Sequence, residues 1–384
     1  METLSKSEQK SGTLREIAKE FLRLGFVAFG GAAAHVAMME ERFVRRLGWL
    51  SRERFLDLFG AASLLPGPSS TELTMYLGEV RGGYAGLLVA GACFVLPAAV
   101  MVVALAWAYL KYGAVPQVAG LLFGIKPVVV ALMAQAIWNL ARSALKHWPL
   151  ALLAVVVVVL AAIGQSLLVL LLGGGILWML ATQGRKLVRG ELAMVGIAGL
   201  GTSTAPAVVG LASIFLYFLK VGAVLFGSGY VLLAILHADL VVRLHWMTDA
   251  QLLDSIAVSQ ATPGPFFTVA TFIGYVLGGW RGAILGTIGM FLPAFVFVGM
   301  TAHVLPRLRR SPHAGAFLDG VNAAAVALMG FVGWQFARAS LVNWPSAVIA
   351  VVSVFLVFRY KVNSAWLVLG GAVAGILLRS VGWT

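Results

Sequence analysis

Two short motifs hold the residues best suited to grip a small anion. Leu65-Pro66-Gly67-Pro68 is followed by Ser69, Ser70 and Thr71, and Thr262-Pro263-Gly264-Pro265 is followed by Thr268. Proline suits the first turn of a helix, because the N–H it lacks would have no intrahelical partner there. A helix beginning at Pro68 or Pro265 would present hydroxyls beside unpaired backbone N–H groups, and such a terminus attracts anions. The competing reading is a proline-hinged helix packed on its neighbour by small residues. A glycine step, Phe29-Gly30-Gly31, and its counterpart Phe226-Gly227-Ser228-Gly229 mark a second pair of chain breaks.

Charged residues inside apolar stretches are the other candidates, since such charges usually mark a ligand or ion pathway. Arg23 and Lys220 each stand two residues before a glycine, Gly25 and Gly222. If two halves of the chain face each other, these cations could approach a common centre and match a divalent anion; otherwise each reaches toward lipid headgroups. Lys126, in Gly124-Ile125-Lys126-Pro127, is a secondary candidate. Glu72, one turn after Pro68, is the candidate proton carrier, with a salt bridge to Arg23 or Lys220 as the alternative. His35, just past the glycine step, could bind an oxyanion, titrate near neutral pH, or pack as a polar side chain. Asp57 and Asp254 follow Ser51 and Thr248, which read as helix N-caps, so these two acids are expected to be structural.

The elements that must position these residues are apolar. The chain has 384 residues, 60% hydrophobic and 11% charged, where a soluble domain carries about 25% charged residues. Its solvent is therefore largely lipid. The net charge of +13, from 28 Lys/Arg against 15 Asp/Glu, is scattered in short loops between apolar runs. That is the pattern left by cations gathering on the cytoplasmic side, not a nucleic-acid surface. The expected setting is the cytoplasmic (inner) membrane, crossed several times.

Apolar stretches fall near 14–39, 55–79, 83–110, 117–141, 148–164 and 167–182, then near 207–237, 250–276, 280–304, 315–340, 344–358 and 364–380. Most match the roughly 20 residues a helix needs to span lipid. The expected organisation is a polar tail (1–13), a first transmembrane repeat (14–182), a basic linker with the start of the second half (183–206), and a second repeat (207–384). The tail has no apolar core, so no cleavable signal peptide is expected and insertion falls to the first apolar helix.

The two sets are copies of one design. An offset of 197 carries Gly25 to Gly222, Phe29 to Phe226, Trp49 to Trp246, Asp57 to Asp254 and Pro66-Gly67-Pro68 to Pro263-Gly264-Pro265. One residue is then dropped, and an offset of 196 carries Gly78 to Gly274, Gly86 to Gly282, Pro97 to Pro293, Gly124 to Gly320 and Trp148-Pro149 to Trp344-Pro345. Collinear coincidences of Gly, Pro and Trp mark a duplication. Under the same offsets Glu72 meets Val269, His35 meets Leu232 and Lys126 meets Asn322, so any role for these three is asymmetric.

Basic residues alternate between equivalent loops. Residues 40–54 carry five against one in the equivalent loop; Lys111 faces Arg307, Arg309 and Arg310; Arg142 and Lys146 face Arg338; none faces Arg359 and Lys361. Equivalent loops on opposite membrane sides would explain this. The fold class expected is thus an all-α polytopic membrane protein with two homologous halves as an inverted-topology repeat. Each half has about five spanning helices plus a broken or re-entrant Pro-Gly-Pro segment.

Other chemistries lack their residues. Cys93 is the one cysteine, so no intrachain disulfide forms. The six histidines show no His-x-x-x-His or Glu-x-x-His spacing, so no metal site and no cofactor is expected. Gly173-Gly174-Gly175 lacks the Lys-Ser/Thr of a phosphate loop and, with Gly370-Gly371, reads as a close-packing site. No Gly-x-Ser-x-Gly elbow supplies a nucleophile, and the chain is not expected to be an enzyme.

At these residues the sequence resembles the chromate ion transporter family in its long, duplicated form. The resemblance rests on Phe29-Gly30-Gly31-Ala32-Ala33-Ala34-His35, Leu65-Pro66-Gly67-Pro68-Ser69-Ser70-Thr71, Lys220 to Gly227-Ser228-Gly229-Tyr230, and Thr262 to Pro265 followed by Thr271 to Tyr275. It covers roughly residues 20–380. It implies a secondary carrier of the cytoplasmic membrane that exports chromate, depends on the proton-motive force and confers chromate resistance, with sulfate as the isosteric relative. Two positions depart from the family pattern: Ala32, where a proline commonly follows the glycines, and Glu72, where a glutamine commonly stands. Rival readings are a sulfate or other oxyanion carrier on the same scaffold, and a membrane-embedded enzyme or lipid-phosphate handler. The partners expected are chromate or sulfate, protons and the lipid bilayer, with no nucleic acid; a homodimer is compatible with the sequence.

Overall fold

A computed structural model describes residues 13–29, 31–112, 116–187, 209–225, 229–301 and 312–381, and every regular element among them is helical. In the first half α1 (Leu14–Val27) ends at the extended backbone of Ala28, and α2 (Gly31–Met39) runs on into a π-helical turn, Glu40–Arg46. Helix α3 (Arg52–Ala62) enters the Pro-Gly-Pro corner and α4 (Ser69–Tyr112) leaves it. Helices α5 (Pro116–Ala144), α6 (Trp148–Ala162) and α7 (Leu167–Leu187) follow. The second half repeats the order with α8 (Leu211–Val224), α9 (Gly229–Leu236) and its π-helical turn His237–Arg243, and α10 (Asp249–Ala261). A 3-10 turn, Phe266–Thr268, opens α11 (Val269–Thr301), and α12 (Pro312–Ser340), α13 (Trp344–Tyr360) and α14 (Ser364–Ser380) complete it.

The helix starts follow local chemistry. Ser51 Oγ accepts from Arg54 N at 3.2 Å, and Thr248 forms a capping box with Gln251, as the N-cap reading of these residues requires. Asn343 caps α13 in the same way, with Pro345 in the first turn.

The described helices number seven per half where the hydropathy pattern marks six stretches. The first stretch is split at Ala28 into α1 and α2, and the second is split by the corner into α3 and the start of α4. Helix α4 also bends, since Gly82 and Gly83 leave helical geometry (φ −146° and +60°), as do Gly278 and Gly279 in α11 (φ −145° and +59°). A straight helix would hold Gly78 and Gly86 about 12 Å apart, yet a Cβ on either would strike the backbone of the other. The chain therefore doubles back into two arms, 69–81 and 84–112. Glycine is required twice over: Gly83 for its positive φ, and the Gly78–Gly86 pair for the closeness of the arms.

These hairpins organise the molecule. Helix α1 lies along the second arm of α4, Gly25 touching Phe94 and Pro97, and α8 lies on α11, Gly222 touching Met290. The second arms of α4 and α11 pack with opposite sense: Tyr84 Oη donates to Gly299 O at 3.4 Å, while Gly91 rests on Phe295. Farther out the halves interlock. Gly120 and Gly124 of α5 pack on Gly375 and Gly371 of α14, and Gly320 of α12 packs on Gly174 and Gly175 of α7. Small residues let these backbones approach closely. Gly173 and Gly370, grouped with them on sequence, face open space instead.

Among the described residues four helical stretches are long and apolar enough to cross a membrane (69–112, 120–144, 266–301 and 315–340), the first and third being the two hairpins, and five shorter apolar helices accompany them. Large apolar side chains such as Leu88, Val100, Val159, Val351 and Leu377 are exposed on the outer surface, which suits contact with lipid.

Candidate functional site

Each half's chain break is joined to the other half's corner. Gly67 N donates to Leu225 O at 2.7 Å, and Gly264 N donates to Ala28 O at 2.7 Å. Ala28 and Leu225 are equivalent in the repeat, as are Gly67 and Gly264, so one contact is made twice. Both corner glycines have positive φ, 138° and 98°. A Cβ on Gly264 would press on Ala98, and one on Gly67 would press on the Glu72 carboxyl. Conformation and space both demand glycine here.

A buried polar cluster stands on the first-half side of this crossing. His35 is 1% exposed, with Nε2 3.1 Å from Ala28 O and Nδ1 3.4 Å from Ser70 Oγ. A carbonyl can only accept, so the network assigns the ring hydrogen to Nε2 and lets Nδ1 accept from the Ser70 hydroxyl. Phe94 stands edge-on to the ring at 5.6 Å. Thr74 Oγ1 donates to Ser70 O at 3.0 Å. Thr71 and Glu72 are fully buried, and Thr71 Oγ1 and both Glu72 oxygens have no hydrogen-bond partner among the described residues. Buried polar atoms are normally satisfied, so three unmet ones on two successive residues stand out.

The helix start differs in detail from the sequence reading. Helix α4 begins at Ser69, and Pro68 caps it rather than occupying its first turn: Pro68 O accepts from Thr71 N at 2.7 Å and Glu72 N at 3.0 Å. Those two N–H groups are spent, leaving Ser69 and Ser70 at the helix start with the N–H groups that lack an intrahelical acceptor. Pro265 likewise caps the 3-10 turn, and Thr268 Oγ1 turns back onto Pro265 O at 2.9 Å. Gly31 and Gly229 open α2 and α9. Gly30 and Gly227 lie outside the described residues.

The two cations do not share a centre. Arg23 lines a cavity of about 390 Å³ with Glu20, Arg42 and Arg46, and Lys220 lines another of about 590 Å³ with Asp239 and Arg243. The reason is helical geometry. Gly25 and Gly222 face the hairpin arms, and a residue two positions earlier points about 200° away around the helix. Neither cation pairs with Glu72.

Lys126 is bound elsewhere. Its Nζ lies 2.9 Å from Asp254 Oδ1, and Tyr109 Oη donates to Asp254 Oδ2 at 3.0 Å. This part-buried group ties α4 and α5 of the first half to α10 of the second. Sequence reasoning took the two ends separately; the available signal was a pair of opposite charges, each set in an apolar stretch. Among the described residues no group of three His, Cys, Asp or Glu stands together as a metal site.

Fold and site together define a multi-pass helical membrane protein in which two copies of one unit cross over a buried polar cluster. The chain belongs to the chromate transporter family: the family model, described as "Chromate transporter", matches residues 15–179 and again 212–376. A chromate transport protein of Cupriavidus metallidurans is 30% identical over 379 residues, covering 95% of this chain and 93% of that one. A chromate transport protein of Pseudomonas aeruginosa is 33% identical over 388 residues, covering 94% and 92%. An uncharacterized transporter of Bacillus subtilis, YwrA, is 29% identical over 126 residues, 33% of this chain and 71% of its own length. No solved structure matches the chain.

Proposed function

We propose that the chain is a secondary carrier that moves chromate outward across the cytoplasmic membrane, coupled to the proton-motive force, and so confers chromate resistance. The observation that carries this reading is the crossing itself: two reciprocal backbone contacts beside a buried cluster with unmet polar atoms, in a chain of this family. Ser69 and Thr71 supply hydroxyls and Ser69 and Ser70 supply helix-start N–H groups to the tetrahedral dianion; His35 holds the Ser70 hydroxyl, and Thr268 joins from the second corner once its hydroxyl turns away from Pro265 O. Gly30, Gly31, Gly227 and Gly229 let backbone approach the guest. Arg23 and Lys220 draw the anion in. An inverted repeat is supported by the opposite sense of the equivalent arms of α4 and α11, and a repeat of that kind binds its cargo where the two copies meet.

Glu72 is the proton carrier of this scheme. A carboxylate buried without a partner is costly, and a proton removes that cost. Exchange of the proton at Glu72 for the oxyanion at Thr71 would link the two movements. The membrane potential, negative inside, drives a dianion outward by about 4.6 kcal/mol per 100 mV.

The test is flux in sealed vesicles. Chromate should move in response to an imposed potential, and sulfate should compete according to its affinity; chromate that ignores the potential contradicts export by this route. Stronger competition by sulfate than by chromate itself would make sulfate the cargo of the same site.

A further inference from the structure

We propose that the two cavities are paired anion vestibules, one for each membrane face, in which Lys220 and Arg23 separately capture the oxyanion before it reaches the crossing. The inference rests on the carrier reading above and adds the place where its cargo is first held.

The cavities share a set of equivalent residues, and the larger also takes in residues from 161–167 and 331–335. Lys220, Val224 and Arg243 line the larger one, and their repeat equivalents Arg23, Val27 and Arg46 line the smaller. Their other charges are already matched. Arg243 holds Asp239 at 2.9 Å and His237 meets Asp249 at 2.8 Å; in the smaller cavity Arg42 holds Glu20 at 2.7 Å and Arg46 holds Glu41 at 3.0 Å. Neither Lys220 nor Arg23 has a carboxylate within ion-pair distance among the described residues. The lining of each cavity therefore holds one more cation than carboxylate, with Lys220 acting on Asp239 and Arg23 on Glu20 from beyond ion-pair distance.

The larger cavity reaches the crossing and the smaller one reaches the residue beside it. Leu225 lines the larger one, and its carbonyl receives Gly67 N. Val27 lines the smaller one, and the next residue, Ala28, receives Gly264 N and His35. Volumes of about 590 and 390 Å³ exceed the roughly 30 Å³ share of a water molecule many times over, so a hydrated dianion fits. A cation at the mouth of a low-dielectric cleft concentrates anions within it. A lipid phosphate has the same chemistry, and the experiment separates the two sources.

The full chain carrying Cys93→Ala receives a single cysteine, Val224→Cys or Val27→Cys, and is labelled with a membrane-impermeant maleimide. In right-side-out and inside-out vesicles the two positions should label from opposite faces. In reconstituted phosphatidylcholine vesicles, chromate should slow labelling at both, beyond the effect of chloride at equal ionic strength. Lys220→Gln should raise the chromate concentration that half-protects Val224→Cys about tenfold, the loss of one charge-assisted contact, and Arg23→Gln should do the same for Val27→Cys. Labelling of both from one face, equal protection by chloride, or protection that follows added phosphatidylglycerol instead of chromate would overturn the proposal. Vesicles that move chromate although it protects neither cysteine would refute the vestibules and spare the carrier. Protection without any flux would support the vestibules and remove the carrier reading.

Discussion

The two corners share a backbone and differ in chemistry. Gly67 and Gly264 both take positive φ and donate to the opposite half at the same 2.7 Å. Around them His35, Ser69, Ser70 and Glu72 in the first half stand where Leu232, Phe266, Phe267 and Val269 stand in the second. Duplication has kept the parts that bend and cross the chain, which any departure would break. The side chains lining the crossing were free to diverge, and one copy became polar while the other became an apolar wall. Lys126 repeats the lesson, since its equivalent position holds Asn322, while Asp254 and its equivalent Asp57 keep the carboxylate.

Substitutions that erase or exaggerate the difference should act in a definite order. Lys126→Met leaves Asp254 buried beside Tyr109 with its cation gone and should cost about 3–5 kcal/mol, whereas adding Asp254→Leu should recover most of that. Thermal unfolding in detergent measures both. Next come the corners. Gly264→Ala drives a methyl group against Ala98 in a positive-φ position and should destabilise by about 1–3 kcal/mol. Gly67→Ala should cost less in the same assay, because the group it meets, the Glu72 carboxyl, can turn aside. Smallest in stability is His35→Leu, which writes the second half's residue into the first. It gives up two hydrogen bonds and gains apolar packing against Phe94, so unfolding should shift by no more than about 1 kcal/mol. Chromate flux should nonetheless fall sharply, which a purely structural histidine would not cause.

Much of this architecture was legible in the residues because its causes are local. The repeat, the glycine and proline breaks, and the Ser51 and Thr248 caps each depend on a residue and its near neighbours. The hairpin in α4 was less visible: Gly82 and Gly83 hide in an apolar run whose composition barely changes across the turn. Cross-half contacts were out of reach. Nothing near Ala28 says that Gly264 will bond to it, and nothing near Lys126 names Asp254, because both pairings are made by the packing of distant helices. The separation of Arg23 from Lys220 followed from the face of α1 and α8 that each occupies, a face fixed only once the hairpin arms are in place.

In the proposed carrier the polar half of the crossing couples a proton on Glu72 to the oxyanion. Chromate movement by purified wild type and Glu72→Gln, reconstituted in vesicles under an imposed pH gradient with the potential clamped, tests it most directly. Glu72→Gln should still exchange chromate for chromate but no longer respond to the pH gradient. A variant that follows the gradient as the wild type does would contradict that coupling.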